Sequence, residues 1–182
     1  MITVVTIVIV LVACVSFYTT IRAIILFAPW APSRIADMPR LQELAALKNN
    51  ELFYDLGCGN GRILFALAPL TAATLIGIEY AFPIYCFARL RQWYYRYPHV
   101  HIYFGDLFKR NLSNADVVYF FGMPNTIEHR LKQKLEQELK PGTRVISYAF
   151  AIKGWTPAKK DKPSDTSLSM YYYVVPDRSV QP

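Results

Sequence analysis

The sequence predicts an α/β fold: one mostly parallel sheet covered by helices on both faces, preceded by a single apolar helix at the N-terminus. Three observations carry that expectation. Short apolar runs alternate with helical patterns along the chain, the order that builds parallel sheets. One such run, Phe53-Tyr54-Asp55-Leu56, enters a turn with glycines at 57, 59 and 61. Residues 2–21 carry no charged side chain.

The apolar run comes first. At 1.5 Å per residue it covers about 30 Å, the thickness of a bilayer's hydrocarbon core. A secretory signal would open with basic residues and close on a small-residue cleavage site, and this segment has neither. A buried core helix would show a polar stripe, which Ile2 to Val15 lacks. Residues 1–28 are therefore expected to be a single-pass membrane anchor. Arg22, Arg34 and Arg40 follow the span and none precedes it, so the positive-inside bias leaves the remainder on the cytoplasmic side. Residues 29–50 form a linker and a pre-domain helix. Pro29 and Pro32 exclude regular helix at its start, and Trp30 suits the membrane–water boundary. Ser33 is placed to cap a helix through Leu41, Leu44 and Leu47. The stretch from Phe27 to Ser33 is either a plain connection or a strap packed over the mouth of a site.

Residues 51–182 form the folded domain, about the size of one α/β unit with a real core. After the glycine turn, Ile63 to Leu70 has a helical pattern, and Thr74 to Ile78 is a buried strand ending in Glu79. Ala81 to Tyr97 is helical and crowded with aromatics and arginines. Such interleaving can grip single-stranded nucleic acid, but it more often marks a helix with one packed face, and no nucleic-acid partner is expected. Val100 to Phe104 alternates as a strand and leads into Asp106. Ala115 to Phe121 is the next buried strand. A helix then starts at Asn125, with Glu128 in capping-box position and Ile127, Leu131, Leu135 and Leu139 as its apolar stripe. Thr143 to Phe150 and Leu168 to Val175 are the last strands, joined by a lysine-rich loop, 153–167. That stretch is short, so a trimmed C-terminal edge is expected.

Composition excludes more than it selects. Net charge is +7, and residues 1–33 contribute only Arg22. The domain is basic, which allows acidic proteins, nucleic acid or anionic lipid without choosing among them. Cys14, Cys58 and Cys86 form no paired framework, which favours free thiols in a reducing compartment. His99, His101 and His129 lack partners at metal-ligand spacing, so no metal is expected.

The glycine turn carries the chemistry. Glycine reaches left-handed backbone cheaply and lets a ligand approach the main chain. The helix that follows offers free N–H groups and a positive dipole end. An acid closing the next strand can accept bonds from two ribose hydroxyls. A dinucleotide fingerprint would need glycine at position 62, where this chain has Arg62. The pattern here is Asp-x-Gly-x-Gly-x-Gly.

That pattern, with Glu79 downstream, resembles motif I of the class I S-adenosylmethionine (SAM) methyltransferases, whose sheet is Rossmann-like. The resemblance assigns Asp55, Gly57, Cys58, Gly59, Gly61 and Glu79 to cofactor binding. Asp106, at a strand's carboxyl end, would accept from the adenine amino group. More narrowly, the chain resembles the small membrane-anchored protein-lysine methyltransferases related to the mitochondrial enzymes acting on ATP synthase c-subunit and the adenine nucleotide translocase. The resemblance rests on Pro29-x-x-Pro32-Ser33, Asp55 to Ile63, Gly77-Ile-Glu79 and Gly105-Asp106-Leu107. It continues in Phe121-Gly122-Met123-Pro124, Arg144-Val-Ile-Ser and Trp155-Thr156-Pro157. It implies methyl transfer to a lysine of a protein, one embedded in or beside the membrane. Many amino-methylating relatives carry Asp/Asn-Pro-Pro-aromatic after the fourth strand, to grip a planar nitrogen. Phe121 to Pro124 has no such polar group, which argues against amide or nucleobase acceptors and suits an alkyl amine. Phe121, Met123, Pro124 and Trp155, with Tyr119 and Phe120 nearby, are the candidates for the acceptor pocket, and spacing singles out no general base. A methyltransferase acting on a lipid, quinone or other apolar small molecule fits the same features. The anchor suggests a substrate in or beside the same membrane, reached by two-dimensional search, so deleting residues 1–28 should spare SAM binding and impair methylation of a membrane-embedded substrate.

Overall fold

The computed structural model describes residues 2–27 and 33–177. Pro29, Trp30 and Pro32, on which the linker expectations rest, lie outside the described residues. One seven-stranded sheet organises the domain. Its strands are β1 (Leu52–Leu56), β2 (Thr74–Glu79), β3 (Val100–Phe104), β4 (Val117–Phe120), β5 (Arg144–Tyr148), β6 (Lys159–Asp161) and β7 (Met170–Val174), in the order β3-β2-β1-β4-β5-β7-β6. β3, β2, β1, β4 and β5 are parallel, and β7 runs antiparallel between β5 and β6. The order reverses between β1 and β4. That is the switch point where open α/β sheets bind ligands beyond their carboxyl ends.

The helices are α1 (Ile2–Leu26), α2 (Met38–Ala45), α3 (Arg62–Leu67), α4 (Phe82–Tyr95), α5 (Pro124–Thr126) and α6 (Lys132–Glu138). Strand residues alternate between two cores because side chains alternate across the pleat. Phe53, Leu75, Tyr119 and Ile146 pack with Leu41, Leu44, Ile63, Leu64 and Ala88 from α2, α3 and α4. Tyr54, Ile78, Phe120 and Val145 pack on the other face with Ile127, Leu131 and Leu135. Period-2 burial on both faces is what made each strand read as a continuous apolar run.

Three local expectations are corrected. Ser33 caps no helix: Ile35–Asp37 is a 3-10 turn ahead of α2, and neither has a side-chain cap. Asn125 is not a cap either. Proline suits a first helical position, so the helix begins at Pro124 and Asn125 falls inside its first turn; a π segment, Ile127–Leu131, then leads into α6. The lysine-rich loop contains β6, a three-residue strand paired with β7. The trimming therefore lies in the crossover: residues 149–158 join β5 to β6 without a helix.

α1 is 25 residues long, and its stretch Thr3–Leu26 is long and apolar enough to cross a membrane. Its two halves differ. From Val4 to Val15 the large side chains are all exposed, whereas Ser16, Thr19, Thr20, Ala23, Leu26 and Phe27 turn a mostly small, weakly polar face to the domain. Thr19 sits where that face meets α4. Its hydroxyl donates to the Val15 carbonyl at 2.8 Å and accepts from the Phe82 amide at 3.1 Å. The Phe82 N–H opens α4 and has no partner within its own helix. A threonine on one helix thus satisfies the start of another.

Candidate active site

β1 delivers Asp55 to the carboxyl edge of the sheet, and the chain then turns through Gly57, Gly59 and Gly61, all at positive φ (80°, 56° and 73°). Those angles make the turn possible only with glycine or at a strain cost. The turn is stitched to β2 by two bonds, as the amides of Gly57 and Cys58 both donate to the Ile78 carbonyl at 2.9 and 3.1 Å. Glu79 holds it from the next strand. One carboxylate oxygen accepts from Gly59 N–H at 2.9 Å, and the other from Tyr80 and Ala81 N–H at 2.9 and 2.7 Å. Burial raises the Glu79 carboxyl above its ordinary range, and those three amides partly offset the rise.

Asp55 has the opposite circumstance. It is 2% exposed, and its Oδ2 is buried with no hydrogen-bond partner. Burial first, and the nearby Glu79 charge second, push its carboxyl up to about 8. A buried oxygen without a donor costs on the order of 1–3 kcal/mol, so this one points to a missing cationic or N–H partner.

These groups open onto a cleft that is partly continuous with solvent. Asp55, Gly57, Cys58, Gly59, Glu79 and Asp106 all line it. Gly61 stands behind it, as the N-cap of α3, where a Cβ would fall 2.7 Å from the Phe65 ring. Asp106 accepts from the Phe108 amide at 2.9 Å. Cys58 is buried against Gly77, whose missing side chain leaves room for its sulfur, and burial pushes its thiol well up. Among the acceptor-pocket candidates, Phe121 lines the cleft and so does Tyr119, two residues earlier on the same pleat face. Phe120 faces the opposite core. Met123, Pro124 and Trp155 are not among the lining residues. The Trp155 indole donates to Glu136 at 2.9 Å and its ring meets Tyr173 edge-on.

Of the strap expected as one alternative for residues 27–33, the described Phe27 and Ser33 line the cleft; the helical wall before it was missed. Thr20, Ala23, Ile24, Leu26 and Phe27 of the apolar helix line the cleft. The Phe27 ring fills the space that Gly57 and Gly122 leave bare; a Cβ would lie 3.1 Å from it at the first and 2.9 Å at the second. Its carbonyl accepts from Met123 N–H at 3.2 Å. The expectation that residues 1–28 are dispensable for the cofactor site does not survive this geometry, because the helix is part of the site. Ser33, expected to cap, instead shares a 2.9 Å hydrogen bond with the Tyr119 hydroxyl, and its carbonyl accepts from Arg62. Burial first, and Asp55 second, hold the Tyr119 phenol well above its ordinary range, so it stays protonated at neutral pH.

A family profile for the ANTKMT methyltransferase domain matches residues 55–159, from the orphaned carboxylate to β6. The chain belongs to that family. Its relatives include a protein-lysine N-methyltransferase of Saccharolobus islandicus, 33% identical over 81% of this chain and 93% of the relative. The Rattus norvegicus lysine N-methyltransferase of the ATP synthase c-subunit is 30% identical over 71% of this chain and 59% of the relative, so the rat protein is considerably longer than its match. Among solved structures, an RNA methyltransferase from Salinibacter ruber, in complex with S-adenosyl-L-homocysteine, superposes with a TM-score of 0.75 at 29% identity, covering 81% of this chain and 95% of that one. The ANTKMT-family chain is a SAM-dependent methyltransferase with the Rossmann-like sheet of that class. Its cofactor is S-adenosyl-L-methionine.

Proposed function

We propose that this ANTKMT-family chain transfers a methyl group from SAM to a lysine side chain of a membrane-associated protein, with α1 as a single-pass anchor and the domain on the cytoplasmic side. The observation that carries the reading is that the apolar helix is itself a wall of the cofactor cleft, which brings the site to the bilayer's edge. The names of the Saccharolobus islandicus and Rattus norvegicus relatives support a lysine acceptor.

The cleft fits the cofactor on this chain's own residues. Asp55 Oδ2, buried and unpaired, suits the donor's ammonium group. Glu79 offers the remaining lone pairs of its carboxylate to ribose hydroxyls, and the bare backbone of Gly57 and Gly59 admits close approach. Cys58 and Gly61 shape that turn, and Asp106 lies where the adenine would be read. When bound, the cofactor supplies an electrophilic methyl carbon on a sulfonium.

The protein's share is to orient the acceptor and keep it neutral. A lysine of pKa about 10.4 is almost wholly protonated at pH 7 and cannot attack. Phe27, Phe108 and Phe121 give the cleft apolar walls, where desolvation disfavours the ammonium. The paired Ser33 and Tyr119 hydroxyls can accept a hydrogen bond from the incoming amine. Tyr119 is no base, since its own proton is held firmly. Alignment opposite the departing sulfur then does most of the work.

The test is methyl transfer from radiolabelled SAM by full-length protein in membranes of its own organism. The expected product is methyl-lysine in a membrane protein. Label in the organic phase would favour a lipid or quinone acceptor, and nuclease-sensitive label would favour RNA; either overturns the lysine assignment.

A further inference from the structure

The course of α1 across the domain fixes which side meets the bilayer. Its end, Phe27, sits on Gly57 and Gly122, over β1 and β4. Eight residues earlier, about 12 Å back along the helix, Thr19 sits on the first residue of α4. The helix therefore runs along the carboxyl ends of the sheet from its centre towards the β3 edge. Its exposed length, Val4 to Val15, continues past that edge.

That edge is unusually apolar. On α4, Phe87, Leu90, Trp93 and Tyr94 are 65%, 59%, 69% and 73% exposed. The spacing puts all four on one helical face. On the edge strand β3, Phe104, whose ring meets Phe82 and Tyr85 of α4, is 44% exposed. α4 contains no Asp or Glu, and its Arg89 and the following Arg96 are exposed beside the aromatic face. Arg22, the first charged side chain of the sequence, lies one turn beyond Thr19. A charge at that point marks the hydrocarbon boundary, so Thr19 and the start of α4 lie within a turn of it.

We propose that the α4–β3 edge is a second membrane-binding surface, seated in the interfacial layer of an anionic bilayer. The aromatic face of α4 lies among the upper acyl chains, and Arg89 and Arg96 meet lipid phosphates. This rests on the anchor reading of α1 and deepens it, since the domain is then pressed against the bilayer in one orientation rather than swinging from a tether. Tryptophan and tyrosine favour this layer, and basic amphipathic helices bind it in proportion to buried apolar area and anionic charge.

The experiment uses full-length protein carrying Trp30→Phe and Trp155→Phe, which leaves Trp93 as its tryptophan, reconstituted into phosphatidylcholine vesicles with and without phosphatidylglycerol. Lipids brominated near the headgroup should quench Trp93 severalfold more than lipids brominated at the chain ends, and more strongly with phosphatidylglycerol present. Arg89→Glu with Arg96→Glu should abolish that lipid dependence while leaving SAM binding intact. Carbonate extraction reports separately on α1. If the protein resists extraction but Trp93 emission is red and unquenched, the surface assignment is wrong and the anchor stands. If it is extracted yet quenching persists, the surface stands and the anchor is wrong. Trp93 shielded by a second copy of the chain, or quenched by single-stranded RNA instead of lipid, also overturns the proposal.

Discussion

The Phe27 ring lies 2.9 Å from where a Cβ on Gly122 would stand, so the residue that follows the apolar helix and the first residues beyond β4 are shaped to one another. Gly122 lines no turn that demands positive φ. Its smallness is a matter of space.

Gly122→Ala should therefore act by overpacking, costing about 1–3 kcal/mol, and should displace Phe27 from the cleft. Phe27→Ala in the same protein should restore part of the loss. A double-mutant cycle on thermal stability and on SAM affinity checks this; strict additivity would mean the two side chains do not meet.

Glu79→Ala removes an acceptor for three backbone amides as well as the proposed ribose contact. Charged hydrogen bonds contribute about 1.5–3 kcal/mol each, so SAM affinity should fall by about 100-fold or more. Calorimetry showing unchanged affinity would refute the role of Glu79.

The Asp55 carboxyl gives a pH signature. With its folded-state pKa about 8 against the ordinary 3.8, the cofactor-free native state holds a proton that the unfolded chain has lost. Stability of that form should fall as pH rises between about 4 and 8. Glu79, also raised, adds to the same slope. Asp55→Asn should flatten it, gaining in melting temperature over the parent at pH 8 and not at pH 4. If SAM's ammonium pairs with Asp55, binding at pH 7 should release a proton, visible as a buffer-dependent binding enthalpy. Asn at this position should bind SAM weakly and without proton release.

Thr19→Val keeps the shape and loses the hydroxyl. The Phe82 amide then lacks its acceptor, at a cost near 1 kcal/mol, typical of a lost helix cap. Hydrogen exchange at Phe82 should accelerate markedly. Unaltered protection there would show that α1 and α4 are not coupled through this bond.

Much of this fold is written locally. Phe53 to Leu56 and Thr74 to Glu79 are buried on both faces, so their apolar runs identify them without knowledge of their neighbours, and the glycine spacing places the turn between them. Glu79 and Asp55 were legible for the same reason, because both sit next to strand ends. What escaped depends on contacts far apart in sequence. Ser33 has the chemistry of a cap, but Tyr119, 86 residues away, takes its hydroxyl. β6 is a polar three-residue strand whose only signature is its pairing with β7. Trp155 looked like an acceptor-side aromatic by its place in the chain, yet α6 and β7 claim its ring and its N–H. The docking face of α1 went unread: Ser16, Thr19, Thr20 and Ala23 recur at helical spacing, but small and weakly polar residues do not say what they pack against.

A helix that walls a cleft cannot be cut away as a convenience of purification. Shortened to residues 29–182, the chain would lose the ring that fills the space beside Gly57 and Gly122 and the hydroxyl that closes α4. Activity measured on such a fragment would describe a different cavity. Under the proposed anchoring of α1, lipid composition belongs among the reaction conditions, alongside pH and temperature.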